Sequence, residues 1–145
     1  MTDFINTVDV LGDDVLTDSI INRSVTEFRD NTVTTIGQYA FSYCTSLTSV
    51  DFPVVTSIAE YAFDRCSALT TLILRNTAQV ATLGKTTAFN NTPIKNGTGY
   101  IYVPSALVDS YKAATNWSTY ANQFRALEDY TVDGTTTGEL DPNKI

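Results

Sequence analysis

Two stretches of this sequence repeat each other at an offset of 22 residues: IGQYAFSYCTSLTSV at residues 36–50 and IAEYAFDRCSALTTL at residues 58–72. The matching pairs are Ile36/Ile58, Tyr39/Tyr61, Ala40/Ala62, Phe41/Phe63, Cys44/Cys66, Leu47/Leu69 and Val50/Leu72. Half of an earlier unit precedes them, with matches at Thr26/Thr48, Val33/Val55 and Thr34/Thr56. A further unit, lengthened by insertions, follows across residues 83–104. A repeat of this length indicates a stack of equivalent structural units.

Each unit contains one short segment with the alternation of a β-strand. The spacing Leu-x-x-Val-x-Phe at Leu47, Val50 and Phe52 recurs as Leu-x-x-Leu-x-Leu from Leu69. Such a period of two buries one side of a strand and exposes the other. Since one unit cannot bury its own face, we expect parallel stacking to create the core of a leucine-rich solenoid whose ends are capped. The expected core strand residues are Phe28, Val50, Phe52, Leu72, Leu74, Ile101 and Val103.

The repeat resembles the BspA-like, or Treponema-type, leucine-rich-repeat family, whose motif is Ile-Gly-x-x-Ala-Phe-x-x-Cys-x-x-Leu-x-x-Val. The motif is complete from Ile36 to Val50 and returns from Ile58, where Ala59 replaces the usual Gly. The run at residues 100–118 is similar to the stretch that closes arrays of this family. The resemblance implies an α/β fold, a short leucine-rich-repeat solenoid of stacked parallel strands with helical or irregular return segments.

Four parts of the chain follow from this interpretation. We expect an N-terminal cap or docking segment at residues 1–24, repeats at 25–104, a C-terminal helical cap at 105–128 and a polar tail at 129–145. The apolar cluster of the first cap is Val15, Leu16, Ile20 and Ile21.

The predicted C-terminal cap is rich in aromatic side chains. Ser105 stands where a helix N-cap is expected, and Asn116 begins a second helical turn. The side chains at helical spacing are Leu107, Val108, Tyr111 and Ala114 in the first turn and Trp117, Tyr120, Ala121 and Phe124 in the second. We expect these aromatics to plug the open end of the solenoid. The alternative for Trp117 is a role in stacking against a carbohydrate.

The composition excludes several classes of function. The 145 residues include no His, two Cys, nine bases and sixteen acids, which give a net charge of −7. The sign is wrong for neutralising nucleic-acid phosphates or anionic lipid headgroups. No apolar run approaches the eighteen or so residues of a membrane span, and the amino terminus lacks the pattern of a secretory signal. We therefore expect no nucleic-acid partner and no membrane insertion.

Candidates for catalysis and metal binding are weak. Without His, a nucleophile would need Lys or a carboxylate as its base, and no spacing singles one out. Cys44 and Cys66 occupy equivalent positions, where free Cys acts as a small buried hydrophobe. We expect both to be reduced and buried, the alternative being a redox or metal site. The prediction is a non-enzymatic protein with no catalytic residues, no metal and no cofactor.

The outward side of the stacked strands is the predicted binding surface, because parallel stacking aligns equivalent positions into columns. One column is Glu27, Ser49, Thr71 and Tyr100, and the next is Arg29, Asp51, Ile73 and Tyr102. Apolar and aromatic side chains on a solvated face often mark contacts with partners. The alternative is that the C-terminal cap or the tail folds over them. Secondary candidates on the loop side are Tyr43, Asp64 and Arg65.

These observations favour a recognition or adhesion module that binds a protein or a cell-surface glycan. The resemblance implies bacterial surface adhesion or an accessory role in a bacteriophage tail. The missing secretory signal favours the phage setting, since virion proteins leave the cell by lysis. The alternative is a structural role, in which the acidic amino-terminal segment docks the chain into a homo-oligomer or a larger assembly.

Overall fold

The computed structural model describes residues 26–29 and 33–127, together with the backbone of residues 15–16, 131–132 and 135–136. The strands are β1 (Val15–Leu16), β2 (Glu27–Arg29), β3 (Thr35–Ile36), β4 (Ser49–Phe52), β5 (Ser57–Ile58), β6 (Thr71–Leu74), β7 (Thr82–Leu83), β8 (Tyr100–Val103), β9 (Phe124–Ala126), β10 (Thr131–Val132) and β11 (Thr135–Thr136). The α-helices are α1 (Pro93–Asn96) and α2 (Val108–Ala113), and 3₁₀ helices span Thr86–Phe89, Ser105–Leu107 and Trp117–Gln123.

The strands form two parallel sheets, and this confirms the predicted stack of units. The larger sheet has the order β2-β4-β6-β8-β9, and the smaller has the order β1-β3-β5-β7. Each repeat therefore contributes a second, two-residue strand that the sequence did not reveal. A separate antiparallel pair, β10 with β11, lies within the predicted polar tail.

Backbone hydrogen bonds join each unit to the next at equivalent positions. The amide of Phe41 donates to the carbonyl of Ala62 at 2.7 Å, and the amide of Phe63 donates to that of Ala88 at 2.8 Å. Threonine hydroxyls add to the ladder, since Thr48 Oγ1 donates to the Thr26 carbonyl at 3.1 Å. Because buried backbone groups need partners, these bonds hold successive units in one register.

A stack of phenylalanine rings runs through the core. The ring centroids of Phe41 and Phe63 are 5.0 Å apart, and those of Phe63 and Phe89 are 5.4 Å apart, with nearly parallel planes. Cys44 and Cys66 are free and fully buried beside them, as predicted. The Cys66 thiol donates to the Phe41 carbonyl at 3.0 Å, so the thiol packs as a core group with a satisfied donor.

The C-terminal cap plugs the end of the stack, as predicted. Trp117 is 1% exposed, and its indole Nε1 donates to the Ala81 carbonyl at 2.7 Å. The Tyr111 hydroxyl accepts from the Ala81 amide at 2.9 Å, and Asn116 Nδ2 donates to the Leu83 carbonyl at 2.7 Å. These side chains bond the outward backbone groups next to and within the edge strand β7. Since Trp117 is buried, the carbohydrate-stacking alternative is wrong.

Two details of the cap differ from the prediction. Ser105 is the first residue of its 3₁₀ helix, and Pro104 occupies the cap position instead. Phe124 is not helical, because the chain leaves the 3₁₀ helix at Gln123 and adds β9 to the large sheet beside β8. The cap therefore combines helical turns with a strand. The remainder of the predicted N-terminal cap and tail lies outside the described residues, and the four boundaries stay predictions.

The middle of the large sheet is buried on both sides, which corrects the expectation for Asp51 and Ile73. Both are fully buried. Ile73 packs against Leu127, which follows β9, and Tyr102 packs against this pair. Asp51 is held by Arg75, whose Nε lies 2.9 Å from both carboxylate oxygens. The strict alternation of buried and exposed residues was wrong here because the chain beyond β9 and the arginine after β6 cover this column.

Burial acts against the charge of Asp51. Loss of water contact raises the pKa of its carboxyl group, while the charge of Arg75, its hydrogen bond and the charge of Arg29 oppose the rise. Removing either the carboxylate or the arginines would therefore leave an uncompensated charge inside the protein.

The phenylalanine stack predicts a large effect for Phe63→Ala. Removing the middle ring takes away contacts to both neighbouring units, so the free energy of unfolding should fall by about 4 kcal/mol in urea titrations. Ser67→Ala, at an exposed position in the same unit, is the control and should change it by less than about 0.5 kcal/mol. Equal effects of the two substitutions would contradict the stack as the core.

The buried ion pair predicts a second loss of stability. Asp51→Ala leaves the Arg75 guanidinium without its carboxylate, which should cost about 3 kcal/mol of unfolding free energy. Asp109→Ala, at an exposed position, should cost less than about 1 kcal/mol. If Asp51→Ala lowered the unfolding free energy no more than Asp109→Ala in the same urea titrations, Asp51 would belong on the solvated face, as first predicted.

Candidate binding surfaces

The strands place the two predicted columns in the expected register. Ser49 pairs with Glu27 on one side and Thr71 on the other, and Thr71 pairs with Tyr100. In the second column, Arg29, Asp51, Ile73 and Tyr102 also occupy matched positions. Only the first column remains accessible along its whole length, because Glu27, Ser49 and Thr71 are half-buried and Tyr100 is 38% exposed.

The second column is mostly covered. Arg29 and Tyr102 are half-buried, and Asp51 and Ile73 are buried. For Ile73 and Tyr102, the structure matches the alternative in which the C-terminal cap covers the strands, since Leu127 packs there.

Arg125 follows Tyr102 in the second column, but its side chain reaches Tyr100 in the accessible column, a contact that the sequence did not indicate. It lies in β9 and pairs with Tyr102 in the sheet, and its guanidinium lies 4.5 Å from the ring centroid of Tyr100. Its Nη1 donates to the carbonyls of Asn122 and Phe124 at 3.0 and 2.8 Å. The arginine is thereby fixed over the tyrosine ring. We call Glu27, Ser49, Thr71, Tyr100 and Arg125 the strand face.

A second exposed surface lies on the turns that close each unit. Tyr43 and Tyr39 are 57% and 40% exposed. Tyr39 stacks on Tyr61 with 5.2 Å between ring centroids and 2° between planes, and the Arg65 guanidinium lies 5.5 Å from the ring centroid of Tyr43. We call the turn surface the set Tyr39, Tyr43, Tyr61, Asp64, Arg65 and Asn91.

The structure brings together the three secondary candidates, Tyr43, Asp64 and Arg65. Arg65 Nε lies 3.7 Å from Asp64 Oδ2, and Asn91 Nδ2 donates to Asp64 Oδ1 at 3.3 Å. Asn91, Tyr39 and Tyr61 were not among the predicted site residues. The repeat offset that aligns Tyr39 with Tyr61 could have indicated their contact.

Five of the six residues of the turn surface have backbone in the left-handed region. The φ angles are 62° at Tyr39, 64° at Tyr43, 60° at Tyr61, 64° at Arg65 and 62° at Asn91. Glycine and asparagine tolerate this region, whereas bulky side chains cost on the order of 1 kcal/mol or more there. Such outliers concentrate at functional sites.

A row of polar contacts borders the turn surface. Gln38 Nε2 donates to Glu60 Oε2 at 2.9 Å, and Lys85 Nζ lies 3.1 Å from Glu60 Oε1. Gln38 and Glu60 are separated by the same 22 residues as Tyr39 and Tyr61. Glu60 and Lys85 are partly or fully exposed, so their ion pair contributes little to stability.

One cavity of the described residues lies beside the cap. This cavity of about 360 Å³ lies between β7 and the cap, lined by residues 80–84 and 114–117, none of which carries an ionisable side chain. Within residues 26–29 and 33–127, no three His, Cys, Asp or Glu side chains cluster as metal ligands would. Among the described helices, none is long and apolar enough to cross a membrane.

Comparison with known proteins agrees with the stacked units. The family model described as a BspA type leucine rich repeat region (6 copies) matches residues 6–107, more than half of the chain. A search of curated proteins finds no match. Repeats of this type are typical of protein-binding or adhesion modules, and the resemblance seen in the sequence is confirmed. The chain belongs to the BspA-type leucine-rich-repeat family.

Proposed function

We propose that the chain is a non-catalytic recognition module that binds a protein partner through the strand face. The observation that carries this proposal is the exposed pair Tyr100 and Arg125, stacked at 4.5 Å on the accessible column of the large sheet. Tyrosine and arginine are, with tryptophan, the residue types enriched among the side chains that dominate the energy of protein interfaces. The half-buried Glu27, Ser49 and Thr71 supply a polar rim beside them.

The rigidity of the scaffold supports this role. Tyr100 stands on β8, whose neighbours on both sides are paired strands, and Arg125 is tied to two backbone carbonyls. Side chains that are ordered before binding lose less entropy when a partner docks. A protein partner is favoured over a polysaccharide because repeats of this type suggest protein binding.

Attachment to a bacterial surface or to a phage tail stays a prediction. So does the alternative of assembly through the acidic amino-terminal segment, which apart from the backbone of residues 15–16 lies outside the described residues.

The test is binding of fluorescently labelled protein to a panel of intact bacterial cells. Tyr100→Ala should weaken binding by about 30-fold, the effect of losing one dominant interface side chain. Because Tyr100 is exposed, the unfolding free energy of the Tyr100→Ala variant should stay within about 1 kcal/mol of the wild-type value. Lys112→Ala, at an exposed position on α2, is the matched control and should bind like the wild type.

Treated cells separate the two partner classes. Protease treatment of the cells should remove binding, and periodate treatment, which destroys sugars, should leave it. The opposite pattern would assign a glycan partner. Unchanged binding by a folded Tyr100→Ala variant would contradict the strand face as the site.

A further inference from the structure

We infer that the turn surface is a second binding site, independent of the strand face, that takes an acidic side chain of a protein partner against Arg65 and Tyr43.

Equivalent turn positions in three successive units carry Tyr43, Arg65 and Asn91, and all three have left-handed backbone. The backbone hydrogen bond at this position also repeats. The amide of Tyr43 donates to the carbonyl of Asp64 at 2.9 Å, and the amide of Arg65 donates to the carbonyl of Asn90 at 2.9 Å. The geometry of the turn therefore favours asparagine or glycine at this position. Asn91 follows that preference, and the other two units depart from it.

Packing does not explain these departures. Tyr43 is 57% exposed and the Arg65 side chain is 52% exposed. Their contact with each other is a cation–π pair in solvent, which is a weak interaction. A position where stability favours a small residue, occupied in two units by large exposed side chains, indicates that these side chains serve recognition.

The guanidinium of Arg65 is placed to receive a carboxylate. Its Nε forms an ion pair with Asp64 Oδ2 at 3.7 Å, a distance too long for a hydrogen bond, and no residue within the described ranges accepts a hydrogen bond from its side chain. The Tyr43 ring on one face restricts its orientation. An arginine held in this way can bind a carboxylate with two parallel hydrogen bonds.

The surroundings favour a protein over an acidic polysaccharide. Tyr39 and Tyr61 each cover one face of the other's ring, and Arg65 covers a face of Tyr43. The chain has a net charge of −7, which repels a polyanion at long range. A single acidic side chain on a protein surface can bind Arg65 without the long-range repulsion that a polyanion would experience.

The experiment measures binding of the full chain to an array of random peptides printed in matched pairs. One member of each pair contains Glu or Asp, and the other has Gln or Asn at the same positions. Uronate-containing polysaccharides are printed on the same array. Wild type should prefer the acidic member of bound pairs by at least tenfold. Arg65→Asn should abolish that preference, and Arg65→Lys should reduce it because an ammonium cannot form the bidentate contact.

Stability measurements separate recognition from a structural role. Since asparagine suits the left-handed turn, the urea midpoints of Arg65→Asn and Tyr43→Asn should stay level or rise. Tyr100→Ala should keep the preference for acidic peptides, so the two surfaces are scored independently. The inference would be overturned by a lower midpoint for the asparagine variants, by absence of any acidic preference in the wild type, or by binding to the uronate polysaccharides alone.

Discussion

The structure depends on one interaction, the backbone hydrogen bond that each unit donates to the next at an equivalent residue. Phe41 to Ala62 and Phe63 to Ala88 are successive bonds of this kind. Because they fix the translation between units, side chains at equivalent positions meet one another. Rings therefore stack on rings along the phenylalanine column, and small residues such as Cys44 and Cys66 repeat where the path of the chain leaves little room.

Where the ladder of backbone hydrogen bonds ends, the last strands have unpaired amides and carbonyls. The cap must supply hydrogen-bonding partners for these groups. At the last unit, Tyr111, Asn116 and Trp117 bond the free backbone groups around β7, while β9 extends the large sheet by one strand. The extension brings Arg125 onto Tyr100 and Leu127 onto Ile73. Closing the solenoid thus both hides part of the strand surface and creates the exposed pair on which the proposed function depends.

The sequence predicted the repeating part well and the irregular part poorly. The offset of 22 residues was enough for the register of Glu27, Ser49 and Thr71, since equivalent units must pair in step. It could not reveal β9, because Phe124 fits a helical spacing as well as a strand. It also could not place Asp51 and Ile73, whose burial comes from Arg75 and Leu127, outside the repeat motif. Nor does a sequence show that Tyr43 and Arg65 have left-handed backbone, which only the turn geometry reveals.

Native-state hydrogen exchange tests most directly whether the unit-to-unit ladder holds the repeats together as one body. The account predicts that the amides of Phe41, Phe63 and Thr70, which bond to different neighbouring units, open with free energies within about 1 kcal/mol of one another, as in a single cooperative unit. Protection that falls stepwise from one unit to the next, with Phe41 opening far more readily than Phe63, would contradict it.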